Sequence, residues 1–206
     1  MNFILVRHPE TLALKNKIIY GVTESDLTPE GYASIPWAAE KLAKTDPAAI
    51  YSSPLSRAYK LAQGICEKYP GMDIVSDERI IEMHCGIYEQ MTFEEARMME
   101  GDDAQQYLME FGFHRPIGGE NFEDVKVRTK PFLDEIIAKA DEYSDKPVII
   151  VSHAMVMRAL VSHLTGFGLN DMWHVHIKPT AILSLDYNPA AQFGRIIGFV
   201  NPGSEI

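Results

Sequence analysis

The sequence predicts an α/β fold: a three-layer sandwich whose mostly parallel central sheet carries helices on both faces, with a small helical cap inserted. Apolar runs alternate along the chain with amphipathic stretches, the pattern of strands joined by crossover helices. Two of the runs, Phe3-Ile4-Leu5-Val6 and Pro147-Val148-Ile149-Ile150-Val151, are continuous rather than alternating, as strands buried on both faces are. Three strand candidates end at polar residues: Arg7-His8, Ser53 with Arg57, and Ser152-His153. In a parallel sheet these ends share one edge, the crevice where open α/β sheets bind ligands, so residues far apart in sequence can converge there.

Taken in order, the first strand stops at Arg7-His8, and residues 9–27 read as irregular. Thr28-Pro29-Glu30-Gly31 is a helix start, with Thr28 as N-cap and Pro29 at the first helical position, where its missing N–H costs nothing. That helix runs to about Lys44, with a kink or break expected at Pro36. Residues 48–51 form a short strand, and Ser53-Pro54 repeats the capping device for a helix to about Lys68, which places Arg57 in its first turn. Residues 72–75 are a third strand, 147–151 a fourth, and a helix spans about 154–164. Residues 181–187 and 195–200, joined by Asn188-Pro189 and a turn, form a closing hairpin, and residues 201–206 a loose tail.

Composition sets limits on partners. The 206 residues suit a single domain, and 46% apolar residues suffice for one core. No apolar run approaches the roughly 20 residues that cross a bilayer, and the first strand begins too soon for a signal peptide, so the expected location is cytoplasmic. A net charge of −10 argues against nucleic acid and anionic membranes as partners. Cys66 and Cys85 form no CxxC pair and suggest neither a disulfide framework nor a zinc site. A small anion bound by a local cationic cluster remains open.

The motifs in chain order resemble the histidine phosphatase superfamily, the phosphoglycerate mutase-like fold. Arg7-His8-Pro9-Glu10-Thr11 stands where that family has Arg-His-Gly-Glu-Thr/Ser, and residues 21–31 are similar to its next segment. Tyr51-Ser52-Ser53-Pro54-Leu55-Ser56-Arg57-Ala58 resembles its second motif almost residue for residue. Residues 81–89 resemble the segment with its acidic residue, Gly118-Gly119-Glu120-Asn121 its Gly-Glu-Ser turn, Val151-Ser152-His153 its last catalytic motif, and Pro179-Thr180 a further one. The resemblance implies a phosphomonoesterase that hydrolyses a small phosphate ester without a metal or other cofactor. His8 would be the nucleophile, passing through phosphohistidine, and Glu82 the general acid and base. Arg7, Arg57 and His153 would hold the phosphoryl oxygens, with Thr23, His84 and Ala154 also binding substrate. Phosphoryl transfer suits such residues, because three equatorial oxygens need fixed donors while nucleophile and leaving oxygen stay in line.

Three departures bear on this reading. Pro9 replaces a glycine and removes a backbone donor, although its carbonyl can still orient His8. Leu14 stands where many members carry asparagine, and Ala154 replaces the glycine after the last histidine. Residues 87–119 are read as the cap that closes the pocket and chooses the substrate. Between Cys85 and Phe113 there are seven acids and one strong base, Arg97. A mutase needs cations for a second anionic group, so their scarcity favours a phosphatase; phosphoglycerate mutase-type transfer and a phosphate-binding pseudoenzyme are the alternatives. His114 and Arg115 are candidates to reach the leaving group. His174 and His176 read as a surface pair on an edge strand rather than a metal site, and His163 as a charge complementing a helix dipole. The substrate and the oligomeric state stay open at this point.

Overall fold

A computed structural model describes residues 1–99, 101–143 and 146–203. The elements are β1 (Asn2–Arg7), α1 (Leu12–Lys15), α2 (Pro29–Leu42), β2 (Ala49–Ser52), α3 (Ser56–Cys66), β3 (Ile74–Ser76), α4 (Phe93–Met98), α5 (Asp102–Met109), α6 (Phe122–Ala138), α7 (Ala140–Tyr143), β4 (Val148–Ser152), α8 (Ala154–Thr165), α9 (Leu169–Trp173), β5 (Ile182–Asn188) and β6 (Phe193–Val200). The sheet order is β3-β2-β4-β1-β5-β6. Strands β3, β2, β4 and β1 are parallel, while β5 and β6 add an antiparallel hairpin. No helix among the described residues is long and apolar enough to cross a membrane.

Period-two alternation within the buried strands builds both cores at once. Phe3, Leu5, Val148 and Ile150 face the core formed with α6 and α8; Ile4, Val6, Ile149 and Val151 face the one formed with α2 and α3. The register sets the ends of the central strands level: Arg7 pairs with Ser152, and Ser52 with Val151. His8, Ser53 and His153 are therefore the first residues past three neighbouring strands. A third, smaller cluster of Ile19, Cys85, Tyr88, Ala96, Ala104 and Tyr107 lies beneath α4 and α5, where Tyr88 and Tyr107 stack at 4.3 Å between ring centroids.

Several expectations need correcting. Residues 9–27 contain the short helix α1, capped by Thr11, whose hydroxyl accepts from the Leu14 amide at 3.2 Å. The helix α2 runs through Pro36 without interruption; that residue is exposed, while Ala38, Ala39 and Leu42 bury the opposite side. Helix α3 starts at Ser56, not after Ser53, because its first turn is capped from a distance: the Glu24 carboxylate accepts from the Ser56 amide at 2.8 Å and its hydroxyl at 2.6 Å. His174 and His176 are not on a strand. His174 is the C-cap of α9 and His176 lies in the loop beyond, where arginine side chains, rather than a neighbouring strand, take the carbonyls of Val175 and Ile177. His163 does lie late in α8, but burial lowers its pKa, so it is neutral at pH 7 and donates to the Lys126 carbonyl at 3.0 Å instead of complementing the dipole. In the tail, Asn201 is tied down by Lys178 and His176 backbone groups, and residues 204–206 lie outside the described residues.

Candidate active site

The backbone of His8 is fixed on both sides: its amide donates to the Ser152 carbonyl at 2.9 Å and its carbonyl accepts from the Thr180 amide at 3.1 Å. Its Nδ1 lies 2.7 Å from the Pro9 carbonyl oxygen. A carbonyl can only accept, so Nδ1 carries the ring hydrogen and Nε2 keeps its lone pair. The His153 ring stands 5.1 Å away between centroids, with its Nε2 at 2.8 Å from the Ser53 hydroxyl. Burial, reinforced by Arg7 and Arg57 for His8 and by Arg57, His8 and Arg7 for His153, holds both imidazoles well below the ordinary histidine range. Both are neutral at pH 7.

Two guanidinium groups flank this pair. Arg57 is fully buried; it donates to the carbonyls of Thr23 (2.9 Å) and Gly21 and lies over the Tyr20 ring at 4.8 Å. Arg7 donates to the Ile177 carbonyl at 2.6 Å. The segment that receives Arg57 is itself held by Glu89. That carboxylate accepts from the amides of Gly21 (2.9 Å), Val22 (3.1 Å), Thr23 (3.2 Å) and Cys85 (2.9 Å) and from the Thr23 hydroxyl (2.6 Å). Burial opposes the charge, but these donors outweigh it and lower the Glu89 pKa. Gly21 allows the close approach, since a Cβ there would stand 1.8 Å from the Met83 carbonyl oxygen.

Glu82 is half-buried, and its carboxylate accepts from the Met83 amide at 2.9 Å. Its backbone is anchored by Arg128, which donates to the Glu82 carbonyl at 3.1 Å and pairs with Glu120 at 2.8 Å; Glu120 also accepts from the His84 amide at 3.0 Å.

These elements border a cavity of about 360 Å³. Arg7, His8, Arg57, Glu82 and Ala154 line its polar end; Leu14, Ile18, Ile19, Phe93, Phe111, Met155 and Trp173 line most of the rest, with Tyr20, Lys17, Arg158 and His176 also bordering it. His153 is fully buried beside His8 and is not among the lining residues, but its Nδ1 has no hydrogen-bond partner among the described residues. Thr23 and His84 are not among the lining residues. The Thr23 hydroxyl donates to Glu89, and His84 Nδ1 accepts from the Gly86 amide at 2.8 Å. His114 and Arg115 are also turned elsewhere, paired with Asp103 (2.8 Å) and Asp124 respectively, which overturns the expectation that they reach a leaving group. The sequence reading missed Glu89, counting it as one of the seven acids of the cap, and passed over Arg158, another lining residue. The available signal for the latter was a single charge inside an otherwise apolar helix.

Residues 3–195 match the family model of the histidine phosphatase superfamily (branch 1). The chain is 31% identical over 173 residues to phosphoserine phosphatase 1 of Hydrogenobacter thermophilus, covering 84% of this chain and 80% of that one. It is 31% identical over 183 residues to glucosyl-3-phosphoglycerate phosphatase of Mycolicibacterium vanbaalenii, covering 84% and 77%. The solved structure of a mycobacterial glucosyl-3-phosphoglycerate phosphatase superposes with a TM-score of 0.84 at 25% identity, covering 95% of this chain and 96% of that one.

Proposed function

Because this chain belongs to branch 1 of the histidine phosphatase superfamily, we propose that it is a phosphoric monoester hydrolase of the histidine acid type, acting on a small phosphate ester through His8. The observation that carries this reading is the bond between His8 Nδ1 and the Pro9 carbonyl, since it leaves Nε2 as a neutral nucleophile beside two guanidinium groups.

In the first half-reaction Nε2 attacks phosphorus, the bond to the ester oxygen breaks, and Glu82 delivers its proton to the departing alkoxide. Arg7, Arg57 and His153 hold the equatorial oxygens, with the Ala154 amide, which has no acceptor inside α8, as a further donor. In the second half Glu82 takes a proton from water, whose oxygen attacks phosphorus as the P–N bond breaks and Nε2 regains its lone pair. Thr23 acts through the backbone carbonyl that receives Arg57. Residues 87–119 act as the cap of a single domain, contributing Phe93 and Phe111 to the cavity. Absence of a membrane partner and of nucleic acid, and a cytoplasmic location, follow from composition and charge as expectations.

Rapid quench during turnover is expected to trap an acid-labile, base-stable phosphoryl group on the peptide carrying residues 3–15, with hydrolysis needing no bisphosphorylated primer. The same adduct in His8→Ala would remove His8 from the role.

A further inference from the structure

Hydrolysis as described uses Arg7 and Arg57 but leaves Arg158 without a task. This residue rises from the second turn of α8, is only 6% exposed, and lines the same cavity. Its guanidinium lies over Trp173 at 4.6 Å, and its two terminal nitrogens donate to the carbonyls of Ala154 (3.2 Å) and Val175 (3.4 Å). These long contacts use two of five N–H donors, Nε has no acceptor, and among the described residues no carboxylate lies within ion-pair distance. Burial is costly for a charge left unpaired. Burial first, then Arg7, brings the Arg158 pKa down to about 10, while Glu82 opposes the shift; Arg158 is thus near enough to sense both.

The charges around the cavity do not balance with phosphate alone. Of the four cations that line it, Lys17 is exposed and balanced by solvent, whereas Arg7, Arg57 and Arg158 are buried or half-buried; Glu82 is neutral when it holds the proton for the leaving group. A phosphate monoester dianion compensates two of the three. We propose that Arg158 is the specificity residue of this site, pairing with a carboxylate carried by the leaving group of the ester, so that the cavity takes phosphorylated hydroxy acids. The proposal rests on the phosphatase reading. Trp173, Phe111 and Met155 supply apolar walls at that end, where exclusion of water strengthens such a pair.

The test compares two esters that differ in one group, 3-phosphoglycerate and glycerol 3-phosphate, with p-nitrophenyl phosphate as a reporter of basal hydrolysis. The wild-type kcat/KM is expected to favour the carboxylate ester by at least about 10-fold, the worth of a charge-assisted pair. Arg158→Met, similar in length and still able to cover Trp173, is expected to lower that ratio roughly 10- to 100-fold, mostly through KM. Arg158→Lys, which keeps the charge but loses the fork, is expected to fall between. A purely structural role would lower both esters together and keep the ratio. A wild-type ratio near one, or a ratio unchanged in both variants, overturns the assignment of Arg158 while hydrolysis of p-nitrophenyl phosphate leaves the phosphatase reading standing. No turnover of any of the three esters overturns both.

Discussion

Replacing Glu89 with glutamine would test how the phosphate end of the cavity is held together. The carboxylate gathers five donors, the amides of Gly21, Val22, Thr23 and Cys85 and the Thr23 hydroxyl. A glutamine oxygen can keep the three donors that now share one oxygen, Gly21, Val22 and Cys85. Its NH2 then confronts the Thr23 amide; the Thr23 hydroxyl can rotate to accept. Losing the charge weakens every remaining bond, and the stranded amide adds its own cost, so the change is worth about 3 kcal/mol. With a urea m value of roughly 2 kcal/mol/M, the midpoint should fall by about 1.5 M at unchanged m. Because the carbonyls of Gly21 and Thr23 receive Arg57, kcat/KM for p-nitrophenyl phosphate should also drop, by about 10-fold. An unfolding midpoint within about 0.3 M of wild type would refute the energetics, and a lower midpoint with unchanged kinetics would refute the link to Arg57.

Three further outcomes are expected. Arg57→Ala should cost about 3 kcal/mol of transition-state stabilisation, with kcat falling alongside kcat/KM; a change confined to KM would show that Arg57 only binds the ground state. Glu82→Gln should lose far more phosphorylation rate with alkyl phosphates than with p-nitrophenyl phosphate, whose leaving group needs no proton, and its phosphoenzyme should accumulate; equal losses without accumulation would count against the acid-base role. Finally, His8 and His153 have folded pKa values well below those of the unfolded chain, which therefore binds more protons in acid. Their neutral burial is fully tolerated above about pH 6.5, and stability is lost below it, approaching about 1.4 kcal/mol per pH unit for each histidine until the folded pKa is reached. Urea titrations between pH 7.5 and 5 should show this slope, reduced in His8→Asn; an identical slope in the variant would contradict the assignment. Loss of the depressed Glu89 and Asp77 carboxylates belongs to a lower window, below about pH 4.5.

The parts of the site carried by strand ends were legible because the signal is local. A strand buried on both faces announces itself as an unbroken apolar run, and the residue after the run marks the edge of the sheet, as at His8 and His153. Glu89 was not legible for the opposite reason: most of its partners stand 66 to 68 positions earlier, and in sequence it looks like any acid near Glu94 and Glu95. The start of α3 shifted for a similar reason, since the cap comes from Glu24 rather than from the neighbouring serine. The resemblance implied substrate contacts for Thr23 and His84, yet their side chains serve Glu89 and a backbone amide, and neither is among the residues that line the cavity. Arg158 could have been found, because a lone guanidinium among alanine, leucine, methionine and valine must find a counter-charge or face a ligand.

The acceptor that fixes the His8 tautomer is a main-chain oxygen. No codon change at any position deletes it, and both glycine and proline at position 9 supply it, so the nucleophile's tautomer is shielded from point mutation in a way that Glu82 and the arginines are not. Variation can reach it only by bending the chain that presents it, through the pairing of His8 with Ser152 and Thr180. A library of side-chain variants would therefore leave this contact unexamined. Weakening the carbonyl itself, by making the Pro9–Glu10 linkage an ester through chemical synthesis, is the alteration that isolates it.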